Sequence, residues 1–223
     1  MAQQLLARLE AGLTAAADPD RAPAMRAYLR DQFAFLGVPN PGVRAVVRAA
    51  EAGLPAPGQD QLRELALACW QRPEREYQYA ALLVLRRHAK VLRPDFLDTA
   101  RHLIVTKSWW ETVDTIAPHV VGPMVARHPE LVAAMDGWNA GDQLWLIRAS
   151  ILHQLAYGRA TDAGRLFGYC AARAGHPDFF VRKAIGWALR QHARTDPDAV
   201  RAFVAATPQL SGLSRREALK HLG

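Results

Sequence analysis

Apolar residues recur at i, i+3, i+4 and i+7 along almost the whole chain, as in "QDQLRELALACWQR" and "REYQYAALLVLRRHAKVL". That spacing puts them on one face of a helix. Proline-containing pairs punctuate the pattern: Asp18-Pro19, Arg72-Pro73, Arg93-Pro94, His128-Pro129 and Asp196-Pro197. Proline suits the first helical turn, so each pair is expected to mark a helix start. No stretch sustains a period of two and no Asn-Gly hairpin signal occurs, which argues against a sheet. The pattern predicts about a dozen short helices joined by short loops. No low-complexity linker divides them, so one all-α domain over residues 1–223 is expected.

The helical segments also resemble one another. "YQYAALLVLRRHAK", "LIRASILHQLAYG" and "FVRKAIGWALRQHART" superimpose on Tyr79-Ala80, Arg148-Ala149 and Lys183-Ala184, and Asp114-Thr115 falls between the first two. The steps along Tyr79, Asp114, Arg148 and Lys183 are 35, 34 and 35 residues. A fixed period of that size is the mark of an α-solenoid, whose helix pairs stack on their neighbours. Equivalent positions then form a row along one surface. Here the row is polar or amphipathic within apolar helices, and unpaired charges are expensive in a core. The row is therefore expected to face a concave groove. Arg148 and Lys183 would make that groove basic, with Arg190 and Arg194 continuing the Lys183 face, and phosphates would be attracted.

Composition narrows the picture. The 223 residues can bury a sizeable core, and half are apolar. No apolar run reaches the roughly 18 residues of a membrane span. The first segment, "MAQQLLARLEAGLTAAADPD", carries Arg8 and Glu10 among its leucines and reads as an amphipathic helix, not a secretory signal. Cys69 and Cys170 lie in apolar helical patterns without CxxC spacing, so buried thiols in a reducing, cytoplasmic setting are expected. Lysine plus arginine total 28 against 21 acids, a net +7; only Lys90, Lys107, Lys183 and Lys220 are lysines, leaving 24 arginines. GC-rich coding also produces such a bias, so composition alone weighs a solvated surface and a polyanion-binding face about evenly.

The segment "KSWWETVD" concentrates the candidate chemistry. Trp110 and Asp114 are four apart and share a helix face, while Trp109 is offset by about 100° and is expected to pack inward. Trp187 lies four residues beyond Lys183. Indoles beside a carboxylate and a cationic track can pack on a sugar or a positively charged base. The carboxylate can stabilise positive charge developing at a sugar C1′. Spacing alone favours Trp110 and Trp187 as core residues and Asp114 as the structural ion partner of Arg148. Near the N-terminus, Tyr28 and Arg44 flank a "LGVPNP" turn that reads either as a phosphate contact or as a plain connector. The histidines are scattered without metal-binding spacing, and no phosphate-cradling glycine loop or serine elbow occurs. No metal or other cofactor is expected.

The segments "FLGVPNPGVR", "KSWWETVD", "LWLIRASILHQL" and "FVRKAIGWALRQHART", spread over residues 33–194, resemble the AlkD family of bacterial DNA glycosylases. The resemblance implies a right-handed-type α-solenoid of HEAT-like repeats that holds duplex DNA in a concave basic groove. It implies a monofunctional enzyme that hydrolyses the N-glycosidic bond of positively charged alkylated purines, such as N3-methyladenine and N7-methylguanine, initiating base excision repair without flipping the base into a pocket. Residue by residue, it implies Asp114 as the catalytic carboxylate, Trp110 and Trp187 packed on the lesion nucleotide, and Arg148 on the DNA backbone. Lys183, Arg190, Arg194, Arg44 and Tyr28 complete the expected backbone contacts. The expected partner is double-stranded DNA carrying alkylated purines, bound by a cytoplasmic, nucleoid-associated monomer. One departure is Glu111, where relatives often carry Asp. The alternative from another class is a non-catalytic HEAT-repeat protein that binds distorted DNA or a protein partner.

Overall fold

The computed structural model describes residues 1–222. All regular structure among them is helical, apart from one isolated bridge between Ala34 and Glu74. The chain folds as two compact units, residues 1–107 and the segment from Ser108 onward.

The first unit contains α1 (Ala2–Ala15), α2 (Ala22–Tyr28), α3 (Asn40–Glu51), α4 (Gln59–Gln71), α5 (Arg75–Arg87) and α6 (Leu97–Val105). The periodic leucines of α1 (Leu5, Leu9 and Leu13) are buried with Val43 and Val47 of α3, Leu62 of α4, Leu85 of α5 and Leu103 of α6. Burying each such side chain contributes roughly 1.5–3 kcal/mol. The helices are cross-tied at the repeat spacing. The Gln59 amide donates to Asp95 across 36 residues, at 2.7 Å. The Trp70 indole donates to the Leu103 carbonyl across 33 residues, at 3.2 Å.

The second unit contains α7 (Trp110–Ile116), α8 (Gly122–Arg127), α9 (Val132–Ala140), α10 (Leu144–Leu152), α11 (Ala163–Ala172), α12 (Phe179–His192), α13 (Pro197–Ala206) and α14 (Gly212–Leu219). Between α7 and α8 the backbone winds as a π-helical turn over Ala117–Val121. Pro118 and Pro123 each lack an N–H for the α ladder, and the wider winding accommodates them. α10 is buried along nearly its whole length and packs between α7 and α12, and α12 packs on α14. The repeat spacing recurs here: Tyr169 donates to Asp136 across 33 residues, at 2.6 Å, and Tyr157 to the Gly122 carbonyl across 35, at 2.7 Å.

The all-α helical-repeat expectation therefore holds, and its physical basis is a set of bonds joining residues one repeat apart. Cys69 and Cys170 are free, buried thiols, as expected; burial pushes the Cys69 thiol up to about 12. Two local expectations need correction. Asp18-Pro19 forms a turn and α2 begins only at Ala22, with Pro23 in its first turn. Trp109 is not on a helix but sits extended at the head of α7.

Candidate active site

α12 starts on Asp178, whose carboxylate accepts the Phe180 N–H at 2.6 Å, a side-chain cap that fixes the first turn. From that start Phe179, Lys183, Trp187 and Arg190 fall at steps of four, four and three, and so share one stripe of the helix. α7 presents Trp110 and Asp114, also four apart, α10 presents Arg148, and α14 presents Glu217. With Phe180 these residues line one cleft of about 350 Å³.

The entry to α7 explains why its two tryptophans separate. Lys107 takes a left-handed backbone conformation, φ 50°, and Trp109 is fully extended at φ −157°, ψ 164°. Trp109 is thereby turned into an aromatic cluster, its ring 6.0 Å from Trp145 and 5.4 Å from Phe180. Trp110, one residue on, is the first helical residue and lines the cleft. The inward packing of Trp109 is as expected, but an extended backbone produces it instead of a helical offset.

Asp114 and Arg148 form a bidentate pair, Nε to Oδ1 at 2.7 Å and Nη2 to Oδ2 at 2.8 Å. The remaining edge of the guanidinium donates to the Phe180 carbonyl. Arg148 is buried, whereas the Asp114 side chain keeps 13% of its surface exposed. Burial raises the Asp114 carboxyl above the ordinary aspartate range; hydrogen bonding and charge from Arg148 pull it back in part, and Glu111 adds to the rise. The net direction is upward because water is largely excluded from the carboxylate while only one cation faces it.

A second carboxylate closes the other side. Glu217 bridges two cations, accepting from Lys183 Nζ at 2.9 Å and from Arg190. The Lys183 hydrogen bond and charge, then Arg190 and Lys220, hold its carboxyl below the usual range against a smaller opposing effect of burial. Gly186 makes this approach possible, since a Cβ there would lie 2.5 Å from the Glu217 Cβ and 3.0 Å from the Ser214 carbonyl. α14 is pinned by the Ser214 hydroxyl, which donates to the Arg182 carbonyl at 3.0 Å.

Of the residues singled out by sequence, Trp110, Asp114, Arg148, Lys183, Trp187 and Arg190 come together in this cleft. Arg194 and Arg190 line a neighbouring hollow of about 290 Å³ with Ala193, Ala218, His221 and Leu222. Arg44 and Tyr28 belong to the first unit: Arg44 is exposed on α3, and Tyr28, at the end of α2, is 72% exposed. Arg148 differs from the open groove cation pictured from the repeat row. It is buried, with all its donor edges turned to Asp114 and the Phe180 carbonyl, so the pairing reading of its position is the one observed.

The "LGVPNP" turn also resolves. The N–H groups of Leu36, Gly37 and Val38 converge on the buried carboxylate of Glu76 at 3.0, 2.8 and 3.0 Å. A ring of amides that reads as an anion site is filled by the chain's own anion, so the turn is a connector.

Sequence reasoning missed Phe179, Phe180 and Glu217. Glu217 carried a readable signal: it lies 34 residues beyond Lys183 and continues the row, as Arg44, 35 before Tyr79, continues it the other way. Phe179 lies four before Lys183 and could have been read from the same stripe. Among the described residues, no cluster of His, Cys, Asp and Glu is arranged to hold a metal ion.

A family of DNA alkylation repair enzymes matches residues 9–222 of the chain. No curated protein matches the sequence. A solved structure from Enterococcus faecalis, described as a predicted DNA alkylation repair enzyme, superimposes with a TM-score of 0.85 at 27% identity, covering 93% of this chain and 97% of its own. The smu.31 protein of Streptococcus mutans UA159 shares the fold, with a TM-score of 0.60 at 14% identity over 82% of this chain and 98% of its own.

Proposed function

Because the chain belongs to the DNA alkylation repair enzyme family over residues 9–222, we propose that its cleft cleaves the N-glycosidic bond of cationic alkylated purines in duplex DNA. The substrates are N3-methyladenine, N7-methylguanine and bulkier adducts at the same ring nitrogens. The observation that carries the proposal is the meeting of Trp110, Trp187 and a largely buried Asp114 carboxylate in one cleft. Lys183 and Arg190, with Arg194 beside them, supply positive charge for the duplex backbone.

The chemistry follows from the charge of the substrate. As the C1′–N bond breaks, its electron pair moves onto the purine nitrogen and quenches the positive charge there. The base leaves neutral and needs no general acid. Positive charge passes to the deoxyribose as an oxocarbenium-like ion. A carboxylate fixed beforehand beside C1′ stabilises that ion, and does so strongly where water is excluded. Arg148 serves this role by holding Asp114 by both oxygens, so the anion need not reorganise as charge develops. Water then adds at C1′, Asp114 aligns it, and the released proton passes to solvent. The indole faces favour the cationic nucleotide through cation–π attraction, strongest for Trp. The base is approached from the sugar side and is not swung into a closed pocket. Lys183 Nζ is ion-paired with Glu217, which fits a monofunctional glycosylase that forms no amine adduct with the sugar.

The test is release of N7-methylguanine from methylated duplex DNA by wild type and Asp114→Asn. Loss of release with duplex binding kept within a few-fold supports the reading; unchanged release sinks it. The bidentate ion pair also gives the non-catalytic alternative a definite outcome, namely DNA binding with no base release even by wild type.

A further inference from the structure

Glu217 is the last member of the repeat row, and its setting differs from that of Asp114. Asp114 faces one buried arginine. Glu217 faces two cations that retain access to solvent, Lys183 with 36% and Arg190 with 25% of the side chain exposed, while its own side chain keeps 18%. All three line the cleft that holds Trp110, Asp114 and Trp187. Glu217 therefore engages two cations from inside the protein and cancels one of the two positive charges a duplex backbone would meet there.

We propose that Glu217 limits how tightly the cleft holds duplex DNA by acting as an internal stand-in for a DNA phosphate. This rests on the reading of the cleft as a duplex-DNA site. A carboxylate that bridges two cations with both oxygens makes the same charge-assisted contacts that two non-bridging phosphate oxygens would make. Any duplex must displace it before Lys183 and Arg190 can turn to the backbone. Undamaged DNA gains only phosphate contacts by that exchange, so the exchange nearly cancels. A cationic lesion also gains the tryptophan faces and the Asp114 carboxylate. The carboxylate of Glu217 thus subtracts about equally from both complexes and holds undamaged-duplex binding down, while the ratio of the two affinities is set by the tryptophan faces and Asp114. Gly186 belongs to the same device, because its missing side chain lets α14 bring Glu217 against α12.

The measurement is duplex affinity against salt concentration for undamaged DNA. Neutralising one more phosphate steepens the log–log slope by about 0.9. Glu217→Gln keeps the size of the side chain and removes its charge. The expected result is undamaged duplex bound about 5-fold tighter at roughly 50 mM salt, with a slope steeper by about 0.9. Glu64→Gln, at an exposed position on α4 that does not line the cleft, raises the net charge equally and is expected to change affinity by less than about 2-fold, since exposed charges are screened. If Glu217→Gln fails to fold, Glu217→Ala takes its place; it removes the same charge, and the same steepening of about 0.9 is expected. A slope that is unchanged or shallower in a folded variant overturns the proposal. So does an equal gain in Glu64→Gln, which would assign the effect to net charge. A wild type that binds no duplex overturns the DNA reading and this proposal together; a wild type that binds, with a variant of unchanged slope, overturns this proposal alone.

Discussion

Glu76 in the first unit and Asp114 in the second are both withdrawn carboxylates on helices of an all-α chain, yet they are built for opposite ends. Glu76 has no exposed surface, and three backbone amides of the Leu36–Val38 turn converge on it. Its charge is spent on organising the chain. Asp114 is held by a single side chain, Arg148, and one part of it still reaches a cleft lined by tryptophans. Its carboxyl is raised by burial that the one cation does not fully offset. A fully satisfied anion stabilises a fold; an anion held rigid but incompletely satisfied can act on a cation that arrives. Burial and pairing alone do not separate structural from chemical acids. What separates them is the direction left open.

The largest effects should break this comparison outright. Asp114→Asn is expected to lower excision of N7-methylguanine from duplex DNA at least about 100-fold, the scale set by removing a preorganised electrostatic group. Single-turnover base release measures it. Glu76→Gln puts an amide donor against backbone N–H groups and is expected to cost about 3 kcal/mol of stability in denaturant titration. Excision per folded molecule should stay within about 2-fold, since neither Glu76 nor the Leu36–Val38 turn lines the cleft. A Glu76→Gln protein that is stable but inactive, or an Asp114→Asn protein that is active, would reverse the assignment of the two acids.

Arginines sharpen the contrast at smaller magnitude. Arg148→Ala leaves Asp114 buried without its partner and is expected to lose about 3 kcal/mol of stability together with excision. Arg190→Ala acts at a partly exposed position and is expected to cost less than about 1 kcal/mol. It should make the salt dependence of duplex binding shallower by about 0.9. If Arg148→Ala instead changed only the salt slope, its guanidinium would be a phosphate contact and not the holder of Asp114. Trp187→Ala should reduce excision more than binding; equal losses would make Trp187 a packing residue.

The same contrast shows what the sequence could carry. Helices and repeat were legible because both are periodic: apolar spacing gives the first, and the 35-, 34- and 35-residue steps from Tyr79 to Lys183 give the second. The register also brought Trp110, Asp114, Arg148, Lys183 and Trp187 to one cleft. It left the state of each charge open. That Arg148 turns inward to Asp114 while Lys183 stays partly exposed depends on α10 being buried along its length, and one amphipathic helix reads much like another. Glu76 was illegible because its partners are backbone amides, whose direction is set by the left-handed Gly37, φ 91°, and not by side-chain type. Trp109 departs from the helical expectation for a related reason, since the extended backbone ahead of α7 breaks the helical spacing. Glu217 is legible as the next step of the row, 34 residues beyond Lys183.

The smallest expected effect is a titration that two measurements read in opposite directions. The unfolded chain ionises Asp114 near the ordinary aspartate value of about 3.9, and the folded chain does so at higher pH because burial disfavours the anion. Below both values the group is protonated in either state and contributes nothing to the pH dependence of stability. As pH rises from the unfolded value through the folded one, the native state binds the proton more tightly than the unfolded state, so stability falls across that window and is level above it. Excision needs the anion, so its rate should rise across the same window, with a midpoint above the ordinary carboxylate value. Asp114→Asn removes the stability slope and the rate limb together, whereas Glu76→Gln leaves the rate limb in place. A rate limb centred at or below the ordinary value would mean that Arg148 outweighs burial, and that Asp114 is as fully satisfied as Glu76.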